Sequence, residues 1–239
     1  MSLADATPST NASQALKPGR LARWIGLASV LLLVAVGFAA WQLSPVSHLS
    51  PGTSERSFEM PIEFAKFRQI MVRKQATAAI VSHGGMQLLD EKIQGVSVDT
   101  SGDDRPILNA LRGRSQSELA ARKQLLVSLD DPSLEADQLS LTQTADIRSD
   151  SMNVRSVANQ PAGNLEEYST TLAATPADGV TQVTVSVDMR VRVKVPKLFV
   201  GRADAKVQQA AEAATREQQA AIEHFINQYA GELIVLPEL

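Results

Sequence analysis

At every odd position from 183 to 195 the chain carries an apolar side chain, Val183, Val185, Val187, Met189, Val191, Val193 and Val195, while Thr184, Ser186, Asp188, Arg190, Arg192 and Lys194 fill the even ones. Successive side chains point to opposite faces only in a strand, so this period of two predicts one very long strand with a dry face and a wet face. Pro196 ends it, because proline has no N–H to give to a ladder, and Gly201 marks a second break. From Arg202 to Ala230 there is neither proline nor glycine; alanine, glutamine and glutamate dominate, and Gly231 closes the run. A helix over those residues is about 43 Å long, enough to cross a whole sheet. Val207, Ala211, Ala214, Gln218, Ala221, Phe225 and Tyr229 recur at spacings of three and four and so share one face, small toward the amino-terminal end and bulky at the distal end. Such a taper lets a helix lie close to a curved sheet in one place and leaves room beneath it in another.

The residues before this pair read as an antiparallel meander. Phe58, Met60 and Ile62 alternate with polar neighbours and predict a short strand near Pro61. The run 63–85 predicts one helix with Phe64, Phe67, Met71, Ala78 and Val81 on a common face and Gly84-Gly85 as its stop. A strand follows over 86–99, with a change of side-chain register at Gly95. Residues 100–122 read as a loop with one short helical piece. Further strands are predicted around 123–128 and at 138–147, where Leu139, Leu141, Gln143, Ala145 and Ile147 share a face. Two more fall at 151–158 and 165–177, the last with Tyr168, Thr170, Leu172 and Ala174 on one side and Asp178-Gly179 as its hairpin loop.

Ahead of all this, Trp24 to Trp41 is 18 residues without a charge, a helix of about 27 Å that nearly matches a bilayer core. A tryptophan stands at each end, and Lys17, Arg20 and Arg23 all lie on the amino-terminal side, which places the carboxyl-terminal part outside the cytoplasm. A cleaved signal peptide is the rival reading, given the small residues Gly37 and Ala39, but its apolar region would run to only about 7–15 residues. The expected organisation is a disordered cytoplasmic tail over 1–20, a transmembrane helix over 21–43, a Ser/Pro/Gly linker over 44–56, a folded extracytoplasmic domain over 57–231 and a short tail over 232–239. Beyond the span 20 basic residues face 25 acidic ones, which disfavours nucleic acid as a partner. Cysteine is absent, which excludes disulfides, thiolate metal sites and a cysteine nucleophile.

The order of elements over 57–231, together with the run "VRVKVPKLFVGRADAKVQQAAEAATREQQAAIEHF", resembles the START-like superfamily, also called the polyketide-cyclase or helix-grip fold. The resemblance implies an α+β domain, a curved antiparallel sheet of about seven strands with a long C-terminal helix across it, here preceded by one N-terminal transmembrane helix. It also implies a lipid or other apolar small molecule held between that helix and the concave sheet, with catalysis confined to a minority of members. On that reading the ligand-binding candidates are the polar residues that interrupt apolar faces, Gln143, Tyr168, Thr170 and Gln218, with Leu172, Val187, Met189, Ala211 and Ala214 as apolar lining. Each polar one could equally be satisfied by backbone or water at a sheet edge or helix end.

No catalytic residue is assigned: there is no G-x-S-x-G elbow and no glycine-rich phosphate loop. His48, His83 and His224 stand far apart without ligand spacing, so no metal or cofactor is implied. Arg190, Arg192, Lys194 and Lys197 form a basic row that either meets anionic headgroups or simply keeps an exposed sheet face soluble. The expected function is therefore ligand binding by a single-pass, membrane-anchored domain without catalysis. An envelope scaffold with a solidly packed domain is the alternative, with its protein partner left open.

Overall fold

The alternating valines form strand β7, Val180–Pro196, and the alanine-rich run forms the last helix, α3, Val200–Ala230, after a single 3-10 turn at Lys197–Phe199. The structure, a computed structural model, describes residues 32–34, 36–38, 41–73, 76–83, 86–101, 118–129 and 132–231. Between its ends lie β1 (Pro45–Met60), α1 (Phe64–Arg73), α2 (Ala76–His83), β2 (Leu88–Asp99), β3 (Glu118–Ser128), β4 (Gln138–Ile147), β5 (Met152–Ala158) and β6 (Leu165–Ala177). The seven strands make one antiparallel sheet in the order β1-β7-β6-β5-β4-β3-β2, so the first strand closes against the last. A continuous meander from β2 to β7, a β1 added at its far edge and a long helix packed against β1 and β7 is the helix-grip arrangement.

The chain divides into two units, Met1–Ser44 and Pro45–Leu239. In the first unit the described stretches 32–34, 36–38 and 41–43 are helical. Among the described residues no helix is long and apolar enough to cross a membrane. Most of the expected span, Trp24 to Trp41, lies outside the described residues, as do the tails at 1–20 and 232–239.

The linker expected over 44–56 is the largest correction. From Pro45 onward it is strand, paired residue for residue with β7 from Pro45 opposite Pro196 to Met60 opposite Thr181. Two prolines are tolerated because β1 is an edge strand, where a missing N–H need cost no ladder bond. Part of its open edge is covered by α3: the Gln208 side-chain amide gives a hydrogen bond to the Thr53 carbonyl (2.9 Å) and accepts one from the Thr53 N–H (3.2 Å). Gly52 is buried directly under α3, where an added Cβ would stand 2.6 Å from the carbonyl oxygen of Val207. Ser54 shares a 2.8 Å hydrogen bond with buried Thr215, and His48 meets Asp204 at 2.7 Å. Serine, proline and glycine here serve close backbone approach, not flexibility.

Other expectations shift by less. The helix read over 63–85 is two, α1 and α2. Glu118–Arg122, expected in a loop, begin β3, while 102–117 lie outside the described residues. The irregularity anticipated at Gly95 is present as a register shift between Ile93 and Gly95 in the β2–β3 pair. On α3 the buried set is Val207, Ala211, Thr215, Ala221, Ile222, Phe225 and Ile226, so the contact face is rotated from the one expected and takes in Thr215, Ile222 and Ile226.

Two apolar clusters result. One joins α1 (Phe64, Phe67, Ile70) to the distal half of α3 (Ile222, Phe225, Ile226) and to Val183 and Val185 of β7. The second joins Leu125, Val127, Leu139, Leu141, Leu165, Tyr168, Val187 and Val191 to Val207, near the start of α3. The sequence taper is thus expressed as a filled end and a sparsely covered end.

Candidate functional site

Beneath the amino-terminal half of α3 lies a cavity of about 1010 Å³. One wall is the dry face of β7, from Met189 through Val195. Another is Leu139, Leu165 and Tyr168, and the roof is Phe199, Ala203, Val207, Ala210 and Ala214. The roof is thin because alanines at 203, 210 and 214 reach only one carbon toward the sheet. Exposed Arg202, Lys206 and Gln209 form the outer margin on the helix side. No carboxylate lies within 4.0 Å of Arg202 or Lys206 among the described residues.

A turn fixes the margin opposite. Gly163 adopts φ 59°, and an added Cβ there would fall 2.2 Å from the carbonyl oxygen of Leu134, so only glycine lets the β5–β6 loop close on the 132–135 turn. Asn164 then locks the two: its Nδ2 donates to the Ser133 carbonyl (2.8 Å), its backbone N–H to that of Leu134 (3.1 Å), and its own carbonyl accepts from Arg192 N–H (2.7 Å). The Asn164 Oδ1 is buried beside the cavity and has no hydrogen-bond partner among the described residues, which leaves an acceptor for a guest molecule.

A second cavity, of about 290 Å³, lies between α2, the middle of the sheet and α3, lined among others by Gln143, Thr170, Leu172, Gln218 and Ile222. Tyr168 borders both. Burial pushes its phenol up to about 12, because the phenolate would lose water without a compensating charge. At neutral pH Tyr168 is therefore a protonated hydroxyl, suited to hydrogen-bonding a ligand and unsuited to act as a base.

The sequence candidates divide accordingly. Tyr168, Met189 and Ala214 line the large cavity; Gln143, Tyr168, Thr170, Leu172 and Gln218 line the small one. Gln143 is already engaged, with its Oε1 accepting from Thr77 (3.1 Å) and its Nε2 donating to Ser156 (3.3 Å). Val187 and Ala211 line neither cavity: both are fully buried, Val187 among the apolar residues of the sheet and Ala211 in the seam where α3 meets the sheet. They were expected at a ligand because they share a periodicity with residues that do line one, but the helix face is rotated and the sheet is covered at Val187. Asn164, Phe199, Arg202 and Lys206 were missed. The basic pair four residues apart at the start of the helix was the available signal.

The basic row of β7 divides as well. Arg192 is bound to Glu166 (2.6 Å) and Arg190 to Glu167 (3.3 Å), both on the neighbouring strand β6, which fits the reading of a solvated sheet face. The Arg192 hydrogen bond holds the Glu166 carboxyl below its usual range.

No family model matches the sequence, and neither does any curated protein. Among solved structures the chain is similar to a START superfamily protein from Mycobacterium smegmatis, at 12% identity over 74% of this chain and 97% of that one, with a TM-score of 0.42. It is also similar to the Zhui aromatase/cyclase from Streptomyces sp. R1128 (12% identity, 79% and 100% covered, TM-score 0.43). A protein of unknown function from Staphylococcus aureus gives 7% identity, 77% and 99% covered, and a TM-score of 0.45.

Proposed function

We propose that this chain is a membrane-anchored binding domain that holds a lipid or another apolar small molecule in the large cavity and performs no chemistry on it. The cavity carries the reading. At about 1010 Å³ it lies at the upper end of the range of about 300–1,000 Å³ usual for small-molecule sites, and like them it is mostly aliphatic with a few placed polar groups. Asn164 offers an acceptor and Tyr168 a protonated hydroxyl; most of the remaining lining is valine, leucine, methionine and alanine with Phe199, and the other polar residues are Ser133, Arg202, Lys206, Gln209 and Glu217. A solidly packed scaffold would need bulky side chains where Ala203, Ala210 and Ala214 stand. The segment Trp24 to Trp41 is read as the anchor, with the domain on the outer side, because tethering concentrates the domain beside a bilayer able to supply or receive such a ligand.

The test is native mass spectrometry of the full chain extracted from membranes in mild detergent. The expected result is one lipid-sized molecule bound per chain. A chain that arrives empty and also fails to take up a fluorescent fatty acid overturns the reading.

A further inference from the structure

We infer that the end of the domain carrying the large cavity rests on an anionic bilayer surface, so that the cavity opens toward the membrane in which the chain is anchored. The inference rests on the anchor proposed above and adds an orientation to it. The decisive observation is that the expected linker is strand. Pro45 begins β1 opposite Pro196, the last residue of β7, so only residues 42–44 separate the proposed span from the sheet. Three residues reach at most about 10 Å. The end of the sheet that holds Pro45 and Pro196 is therefore kept close to the bilayer by covalent reach alone.

The large cavity sits at that same end. Its lining comes from the carboxyl-terminal part of β7 (Val191 to Val195), the first residue of β6 (Leu165), the beginning of β4 (Leu139), the residue after β3 (Leu129) and the first turns of α3. In an antiparallel sheet with this register, all of these fall at one end. The β1–β7 ribbon runs five residues beyond Leu165, which pairs with Val191, and Val193 and Val195 on that extension line the cavity up to the Pro45–Pro196 end of the sheet.

The chemistry of the outer surface fits lipid headgroups. Lys194, Arg202 and Lys206 are exposed there, and Arg202 and Lys206 have no carboxylate within 4.0 Å among the described residues. Asp204, the acidic residue between them, is engaged with His48. Leu198, between β7 and α3, is 66% exposed, an apolar tip close in sequence to Lys194, Lys197 and Arg202 of the kind a shallow membrane contact uses. The acidic Glu135 and Asp137 belong to the turn across the cavity, and Glu217, also in the lining, lies well along α3 from Arg202, which puts the contact on the ribbon and the first turns of α3.

Because the chain has no cysteine, single labels can be placed cleanly. The full chain is reconstituted in nanodiscs that contain phosphatidylglycerol or only phosphatidylcholine. A fluorophore is attached at Leu198→Cys, at Lys194→Cys, or at Asp150→Cys in the β4–β5 turn at the opposite end, and nitroxide lipids serve as quenchers. Quenching is expected at 198 and 194 with phosphatidylglycerol and absent at 150. High salt or the double reversal Arg202→Glu with Lys206→Glu should weaken it to the level that the short tether alone enforces, the level also expected with phosphatidylcholine only. Two labels guard against a single variant that disturbs the fold. Absence of quenching at both 198 and 194, equal quenching at 150, or failure of the chain to enter nanodiscs overturns the inference. Ligand retention in the same samples, read by native mass spectrometry, is independent: a chain that holds lipid but leaves its rim unquenched keeps the binding function and loses the orientation.

Discussion

The two halves of α3 are continuous in sequence and opposite in how they meet the sheet. Distally, Ile222, Phe225 and Ile226 are buried against α1 and β7, and Tyr229 stacks edge-on to Phe225 with ring centroids 5.1 Å apart. Toward the amino terminus the same helix presents Ala203, Ala210 and Ala214 over about 1010 Å³ of open space, and it is held there by closeness of backbone at Gly52 and by a few polar ties to β1. One end is stabilised by area removed from water, the other by a short list of specific contacts. A domain divided this way can keep a cavity because its stability is supplied elsewhere.

The sharpest way to break the comparison is at the packed end. Ile226→Ala should cost about 2–5 kcal/mol, measured by chemical denaturation, since it removes a fully buried side chain and leaves a void. At the boundary between the halves, Tyr168 gives a pH signature. Its phenol stays protonated up to about 12 in the fold but ionises near the ordinary tyrosine value of 10.0 when unfolded. Its contribution is therefore complete below pH 10 and lost between roughly pH 10 and 12, a loss of about 3 kcal/mol. Tyr168→Phe should remove that part of the alkaline destabilisation, and an unchanged alkaline limb would show that Tyr168 is not buried as described.

At the open end the effects are smaller or of another kind. Gly52→Ala should destabilise by about 1–3 kcal/mol, because Val207 must move to admit the methyl group; a true linker would not register it. His48→Ala should cost only about 0.2–1 kcal/mol, since the pair with Asp204 is part-exposed and screened. The same pair holds the Asp204 carboxyl below its usual range, so its contribution is present above the ordinary aspartate pKa and fades as pH falls through the lowered one. Ala214→Phe fills the cavity and should change the denaturation midpoint least while reducing bound ligand at least about tenfold, a change near 1.4 kcal/mol in binding. Equal loss of ligand and stability would mean that the two halves are not separable.

Comparing the two edge strands shows where sequence reading succeeds and fails. β2 carries Leu89, Ile93, Val96 and Val98 and lies exposed, while β1 carries Ser50, Gly52 and Ser54 and is pinned between β7 and α3. Composition would have reversed the two. Gly52 is buried because a helix passes over it, and Leu89 is exposed on an edge strand with no helix covering it among the described residues; neither fact is local to the residue.

The sequence alone determined the elements whose pattern is local: the alternation that makes β7, the hairpin at Asp178-Gly179, the uninterrupted α3, the faces of β4 and β6, and from their order the helix-grip architecture. Backbone geometry ties period directly to face, so no partner need be known. Tertiary structure alone decided that 45–56 is strand, that α3 turns Thr215, Ile222 and Ile226 inward, that Val187 and Ala211 are packed away, and that Asn164, Arg202 and Lys206 meet at one cavity. Those outcomes depend on contacts between residues far apart in the chain, where the stabilising term is the area and the hydrogen bonds shared by two surfaces, and no single stretch of sequence contains both.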